Sequence, residues 1–127
     1  MKHLVSAVGM VVISLASATT LASNDQMEVA AGKQVFSHHC HACHSEDPSK
    51  NTFGPSLIGV YGREAGTLPR FAYSDALKKS ELTWNESNLR KWIADNDGLV
   101  PGTRMRHVAI TDTAEQNYLI AFLKSLK

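Results

Sequence analysis

The chain has 127 residues, which is enough for one domain and hardly for two. Its 13 Lys and Arg residues and 12 Asp and Glu residues give a formal net charge of +1. The basic residues are scattered between acidic ones, whereas phosphate binding requires a basic stripe, so no nucleic-acid partner is expected.

The first 22 residues have the composition of a secretory signal. Lys2 precedes an apolar stretch over residues 4–16, and Thr20 and Ala22 are small residues of the kind that a signal peptidase reads. We expect residues 1–22 to be a cleaved signal peptide and residues 23–127 to form the mature domain. The alternative is an uncleaved membrane anchor, since residues 4–21 approach membrane-spanning length, although their hydroxyl groups make the stretch a weak one.

The mature chain is expected to begin with a helix. Ser23 and Gln26 have capping-box spacing, and apolar residues then recur with helical periodicity as far as Phe36. Gly32 lies inside this helix, where glycine costs about 1 kcal/mol relative to alanine. Its presence suggests close approach by another backbone.

Cys40, Cys43 and His44 form a C-x-x-C-H motif, which is typical of covalent attachment of a c-type haem. Two thiols three positions apart can add to the vinyl groups of a single haem, and the adjoining imidazole is then delivered to the iron. The motif therefore predicts one haem c, attached through Cys40 and Cys43.

Three other readings of the two cysteines are open. A thioredoxin-like redox pair requires a βαβ context, which the sequence does not show. A zinc site is suggested by His38, His39 and His41, yet no second ligand pair follows at structural spacing. A disulfide between the cysteines would close a very small loop and would stabilise little.

Residues 45–69 are rich in Pro and Gly and predict a structured loop without a long regular element. A loop of this length inside a small domain is normally functional, and a bound haem would give it a surface to wrap around. We expect its apolar residues to face the porphyrin: Phe53, Leu57, Ile58, Val60 and Tyr61.

The rest of the chain predicts two short helices and one longer helix. A short helix is expected from Tyr73 to about Lys79, and a capping box of Thr83 and Glu86 predicts a second. Residues 95–102 have turn composition. Asp112 then caps the last helix, whose apolar face consists of Leu119, Ile120, Phe122, Leu123 and Leu126. The predicted fold class is all-α.

Five short patterns occur in the order seen in class I cytochromes c, and the chain resembles this family from about Gly32 to Leu123. They are the C-x-x-C-H motif, Gly54-Pro55, Gly62-Arg63, Thr83-Trp84 and Pro101-Gly102-Thr103-Arg104-Met105. The resemblance implies crossing N- and C-terminal helices, with Gly32 and Phe36 meeting Leu119 and Phe122. Two short helices and long loops would wrap around the haem.

The resemblance also implies the iron ligands and their surroundings. His44 would be the proximal ligand and Met105 the distal one, and a thioether suits ferrous iron. A bis-histidine site with His107 in place of Met105 is the alternative. The Pro55 carbonyl would accept the Nδ1 proton of His44. The remaining implied contacts surround a buried haem propionate: Arg63, Tyr73, Trp84 and Thr103.

The function implied is that of a soluble, exported, periplasmic one-electron carrier and not of an enzyme. It would be a monomer without a membrane span in its mature form, and it would dock briefly with a redox donor and a redox acceptor. Few basic residues surround the expected haem edge, Arg104 among them, so docking should depend little on charge steering. A haem catalyst or gas binder is the competing function and requires an open iron site. A membrane-tethered redox module would retain residues 4–21.

Overall fold

The computed structural model describes residues 17–50 and 52–127, with side chains from residue 23 onward. These residues form α1 (Ser17–His39), α2 (Asp75–Lys78), α3 (Glu86–Ala94), α4 (Asn96–Leu99) and α5 (Thr113–Ser125). Extended structure within the described ranges is limited to one antiparallel bridge between Glu64 and Thr83. The all-α prediction is confirmed, and so is the long loop over the described part of residues 45–69. Within residues 17–50 and 52–127, no helix has the length and apolar character needed to cross a membrane.

The start of α1 differs from the prediction. The helix already includes Ser17, the first described residue, so Ser23 lies inside a continuous helix and the predicted capping box does not begin it. Residues 1–16 of the predicted signal peptide lie outside the described residues. The boundary between residues 22 and 23 therefore stays a prediction.

The crossing of α1 and α5 forms the centre of the fold, as the sequence predicts. Phe36 is buried, and its ring centroid lies 5.2 Å from that of Phe122. A Cβ atom on Gly32 would collide with the Tyr118 carbonyl oxygen and would come within 2.7 Å of the Phe122 Cβ. The two backbones thus approach too closely at this point for any side chain, which explains why glycine stands inside α1.

Side chains begin the four later helices. Asp112 accepts a hydrogen bond from the Glu115 N–H at 2.9 Å, as predicted for α5. The cap of α3 is Asn85 and not Thr83, because Thr83 is held in the bridge with Glu64. Ser74 caps α2, which is shorter than predicted. Asp95 caps α4, a short helix in a segment for which the sequence predicted only turns.

Candidate functional site

The C-x-x-C-H motif continues directly from the C-terminal end of α1. The Cys40 N–H donates to the Phe36 carbonyl at 2.8 Å, and the His44 N–H donates to the Cys40 carbonyl at 2.9 Å. The helical hydrogen-bond pattern is thus carried into the motif. Cys40 and His44 are buried, Cys43 is half-buried, and the two cysteines are not joined to each other.

The loop after the motif folds back over His44. The Gly54 N–H donates to the Cys43 carbonyl at 2.7 Å, and the Thr52 hydroxyl donates to the same carbonyl. His44 Nδ1 then lies 2.8 Å from the Pro55 carbonyl oxygen. Because Nδ1 is engaged as a donor, Nε2 is the ring nitrogen able to coordinate a metal.

Gly54 packs directly on the imidazole ring. A Cβ atom at this position would lie 2.6 Å from His44 Nδ1 and 2.9 Å from Nε2. The absence of a side chain therefore allows the loop to cover the ring. Gly54 belongs to the Gly54-Pro55 pattern of the sequence, but nothing in that pattern indicates this contact.

A cavity of about 490 Å³ opens beside His44. Its volume lies in the range of sites that bind cofactors and drug-sized ligands. All nine predicted site residues line this one cavity: Cys40, Cys43, His44, Pro55, Arg63, Tyr73, Trp84, Thr103 and Met105. The apolar walls, the two thiols, the buried imidazole of His44 and the thioether of Met105 fit a haem, so the donor set and the size of the cavity agree with the predicted cofactor.

Much of the apolar wall comes from α3 and α5. It includes Leu89, Trp92, Ile93, Leu119 and Leu123. Helical periodicity places Leu119 and Leu123 on the apolar face of the last helix, but it does not distinguish a face that packs on protein from one that packs on a ligand.

The loop contributes fewer apolar contacts than predicted. Phe53, Leu57 and Val60 line the cavity, whereas Ile58 and Tyr61 are not among its lining residues. The Gly59 N–H bonds to the Leu126 carbonyl at 2.8 Å and ties this turn to the end of α5. Tyr61 accordingly packs under Lys124, whose Nζ lies 5.0 Å from the ring centroid.

A backbone pairing brings Arg63 and Trp84 to the same side of the cavity. The Trp84 N–H donates to the Arg63 carbonyl at 2.9 Å, next to the Glu64–Thr83 bridge. The Arg63 guanidinium donates to the Ile58 carbonyl at 3.0 Å, and burial lowers the pKa of Arg63. Burial also raises the pKa of Tyr73, an effect that the nearby Arg63 charge opposes.

The electrostatics of the motif argue against a thioredoxin-like pair. Burial, reinforced by the neighbouring Cys43, raises the pKa of Cys40 to about 11. Reactive redox cysteines have a pKa below the ordinary value, because the thiolate is the nucleophile. Burial lowers the pKa of His44, against the opposing effect of the Pro55 hydrogen bond, which favours the neutral imidazole that metals require.

Met105 and His107 both line the cavity. Met105 is half-buried and packs against the apolar core, whereas His107 is exposed. Thr103 is only 1% exposed, and its carbonyl accepts a hydrogen bond from Arg106 Nε at 2.9 Å. Arg104 donates to the Ala72 and Tyr73 carbonyls, which joins this segment to the residues before α2.

Comparison with known proteins identifies the family. A family model for cytochrome c matches residues 29–127. The chain is also 51% identical over 87 residues to cytochrome c2 iso-2 of Magnetospirillum fulvum, covering 68% of this chain and 91% of that protein. The chain belongs to the cytochrome c family. It is 42% identical over 108 residues to cytochrome c2 of Blastochloris viridis, covering 84% of each chain.

A solved structure supports the fold of this cytochrome. Cytochrome cH from Methylobacterium extorquens superposes with a TM-score of 0.71 at 45% identity, covering 76% of this chain and 97% of that chain. The predicted class I cytochrome c fold is therefore confirmed, with α4 as one short helix more than the sequence predicted.

Membership of the family settles the cofactor and the broad function. This cytochrome binds haem c, attached through Cys40 and Cys43, and it is a monohaem electron carrier and not an enzyme. The zinc alternative has no ligand set in residues 17–50 and 52–127, where no three His, Cys, Asp or Glu side chains are grouped to hold a metal ion.

Proposed function

We propose that this cytochrome is a soluble, exported one-electron carrier whose haem iron is ligated by His44 and Met105. The observation that carries the ligation is that both residues line one cavity, while the Pro55 carbonyl engages His44 Nδ1 and leaves Nε2 to coordinate. When bound, haem c supplies the ferric and ferrous states between which one electron is exchanged.

The chain's own residues would keep this exchange free of bond chemistry. His44 and Met105 would supply the two protein ligands of the haem iron, so no coordination position would be left open for a substrate. The buried apolar walls limit access by solvent. This exclusion of solvent and the hydrogen bond from His44 would together set the reduction potential of the iron.

We propose that four side chains surround a buried haem propionate: Arg63, Tyr73, Trp84 and Thr103. A carboxylate in such a site is costly unless it is paired and hydrogen-bonded. The half-buried Arg63 guanidinium supplies positive charge close to Tyr73, and all four side chains line the same cavity. This set therefore offers both the charge and the donors that a propionate requires.

The secretory composition of residues 1–22 supports the proposal of export and a periplasmic location. The resemblance to bacterial cytochromes c2 supports the same location. We propose that cleavage after Ala22 releases a monomer of residues 23–127. Intact mass of the secreted holoprotein tests this directly, because a retained N-terminal segment and the covalently attached haem would both add to the mass.

The exposed rim of the cavity is the proposed place of transient docking with a redox donor and a redox acceptor. Phe53 and Arg104 are exposed there, and Phe53 is 92% exposed. A rim with few charges is consistent with a small interface that forms and separates quickly. Electron-transfer rates should accordingly depend only weakly on ionic strength.

The decisive experiment on ligation is the optical spectrum of the ferric holoprotein. Thioether coordination gives the ferric form a characteristic charge-transfer absorption, which we expect in the wild type and in His107→Ala, and which should be absent from Met105→Ala. Loss of the normal ferric spectrum in His107→Ala alone would assign the distal position to His107. Rapid binding of carbon monoxide to the reduced wild type would indicate an open iron site and contradict the proposal.

A further inference from the structure

The C-terminal end of α3 holds the segment that carries Met105. The last four carbonyls of a helix have no partner inside the helix. The Trp92 carbonyl accepts a hydrogen bond from Asn96 Nδ2 at 2.6 Å, and the Ile93 carbonyl accepts one from the Ile110 N–H at 2.8 Å. Two consecutive carbonyls of α3 are thus bonded to the two ends of residues 96–110, and Met105 lies between these ends.

Asn96 begins a series of hydrogen bonds that leads toward Met105. The Asn96 carbonyl accepts from the Val100 N–H at 3.0 Å, and the Val100 carbonyl accepts from the Thr103 N–H at 3.1 Å. Asn96 is 2% exposed and Thr103 is 1% exposed, so these groups are shielded from water. The backbone is therefore fixed from α3 to a point two residues before Met105.

Gln116 secures the other end of the segment. Its Nε2 donates to the Ile110 carbonyl at 2.8 Å, and its Oε1 accepts from an Arg90 guanidinium nitrogen at 3.2 Å. Gln116 belongs to α5 and Arg90 to α3, and Gln116 is only 6% exposed. Ile110 is thus bonded through its N–H to α3 and through its carbonyl to α5.

We propose that Asn96 and Gln116 are positioning residues that clamp the two ends of residues 96–110 and thereby keep Met105 at the iron. The proposal rests on the ligation by Met105 given under Proposed function. Neither side chain lines the cavity, so both act through the backbone of the segment and not by contact with the haem.

The chemistry of Asn96 indicates a role in position and not in overall stability. Its Oδ1 atom is buried and has no hydrogen-bond partner among the described residues. An unpaired buried acceptor is unfavourable, so removing Oδ1 offsets the cost of leaving the Trp92 carbonyl without its donor. Asn96→Leu removes the tether to Trp92 together with the unpaired oxygen. We therefore expect it to loosen the segment while changing global unfolding little.

Competition by imidazole measures this loosening in the ferric holoprotein. Added imidazole can reach the iron only when Met105 has dissociated, so its apparent affinity reports the population of the open segment. Loss of one hydrogen bond should raise this population, and lower the apparent dissociation constant of imidazole, about five-fold in Asn96→Leu. Gln116→Met should act in the same direction through the other end of the segment.

Asn88→Ala is the matched control. Asn88 also belongs to α3, and its Nδ2 donates to the Thr83 carbonyl at 2.8 Å, but this bond lies at the opposite end of the helix from Met105. The Asn88→Ala holoprotein should bind imidazole with the affinity of the wild type. Global unfolding followed by helical circular dichroism separates local loosening from general destabilisation.

The outcomes separate the clamp from the ligation. If the wild type shows the thioether absorption and both clamp variants bind imidazole like Asn88→Ala, the clamp is wrong while the ligation stands. If the imidazole affinity of the clamp variants rises only in proportion to their loss of global stability, Asn96 and Gln116 have a general structural role and the clamp is again wrong. If the wild type lacks the thioether absorption, the ligation fails and the clamp fails with it.

Discussion

Gly54→Ala should disturb the proximal side of the haem site through one added methyl group. The new Cβ atom would lie 2.6 Å from His44 Nδ1, well inside the contact distance of the two atoms. Gly54 is not among the glycines with positive φ, which are Gly59, Gly62, Gly66 and Gly102. The backbone therefore tolerates alanine, and the effect of the substitution isolates the collision with the imidazole ring.

The expected magnitude follows from three contributions. A less flexible unfolded chain stabilises the variant by about 0.4 to 1 kcal/mol. Overpacking destabilises it by about 1 to 3 kcal/mol. Displacement of His44 from the Pro55 carbonyl, now 2.8 Å away, removes a hydrogen bond worth about 1 kcal/mol. The collision outweighs the entropic gain, and we expect a net loss of about 2 kcal/mol.

The reduction potential reports the same displacement independently of stability. The hydrogen bond to Pro55 makes the His44 imidazole a stronger electron donor, which favours ferric iron. Its loss should raise the potential of Gly54→Ala above that of the wild type. Urea unfolding of the holoprotein and a redox titration measure the two effects.

Gly59→Ala is the control for this experiment. Gly59 has a φ of 66°, and a Cβ there would have no atom within 4 Å. Alanine should cost about 1 kcal/mol through backbone strain alone. Its potential and spectrum should match those of the wild type. An unchanged potential in Gly54→Ala would refute the inferred contact between Gly54 and the imidazole.

Three further predictions concern the rest of the chain. Gly32→Ala should lower the free energy of unfolding in urea titrations by about 1 to 2 kcal/mol, because the collision with the α5 backbone exceeds a helix-propensity gain of about 1 kcal/mol. Ala30→Gly, on the exposed face of α1, measures the propensity difference alone. A Gly32→Ala variant more stable than the wild type would contradict the close crossing of α1 and α5. The hydrogen bond and charge of Lys124 lower the pKa of Glu86, so this pair stabilises the fold above the ordinary Glu pKa, and its contribution is lost as the pH falls through the lowered value. Glu86→Gln should consequently flatten the acid limb of stability against pH, and an unchanged limb would show that the pair contributes nothing. Met105→Ala should lower the reduction potential in a redox titration, since a soft thioether favours ferrous iron, and a retained wild-type potential would place the ligand elsewhere.

The features that could be predicted from the sequence are those that depend on short local patterns. The cap at Asp112, the turn-rich loop and the motif around His44 each rest on residues close together in the chain, and the structure places them as expected. The capping box at Ser23 and Gln26 does not begin α1, because a longer helix passes through this valid capping pattern. Local capping patterns are permissive, so they do not determine where a helix begins.

Contacts that join distant parts of the chain could not be predicted in this way. Tyr61 was expected to face the haem, but the bond between Gly59 and the Leu126 carbonyl turns it toward Lys124. Nothing in residues 45–69 encodes that bond, since its acceptor lies at the other end of the sequence. The close packing of Gly54 on the His44 ring is hidden for the same reason, because only the folded loop brings the two residues together.

The clamp on residues 96–110 shows why a ligand-bearing loop requires more than its own pattern. The P-G-T-R-M sequence identifies Met105. The side-chain hydrogen bonds at the two ends of residues 96–110, however, come from Asn96 and Gln116, which that pattern does not include. A soft, neutral ligand forms a weak bond to ferric iron, so a modest change in the freedom of the loop shifts the equilibrium between bound and dissociated methionine. Under the proposed ligation, two amide side chains that do not line the cavity can therefore set how firmly Met105 is held, and relatives that share the five-residue pattern need not share that firmness.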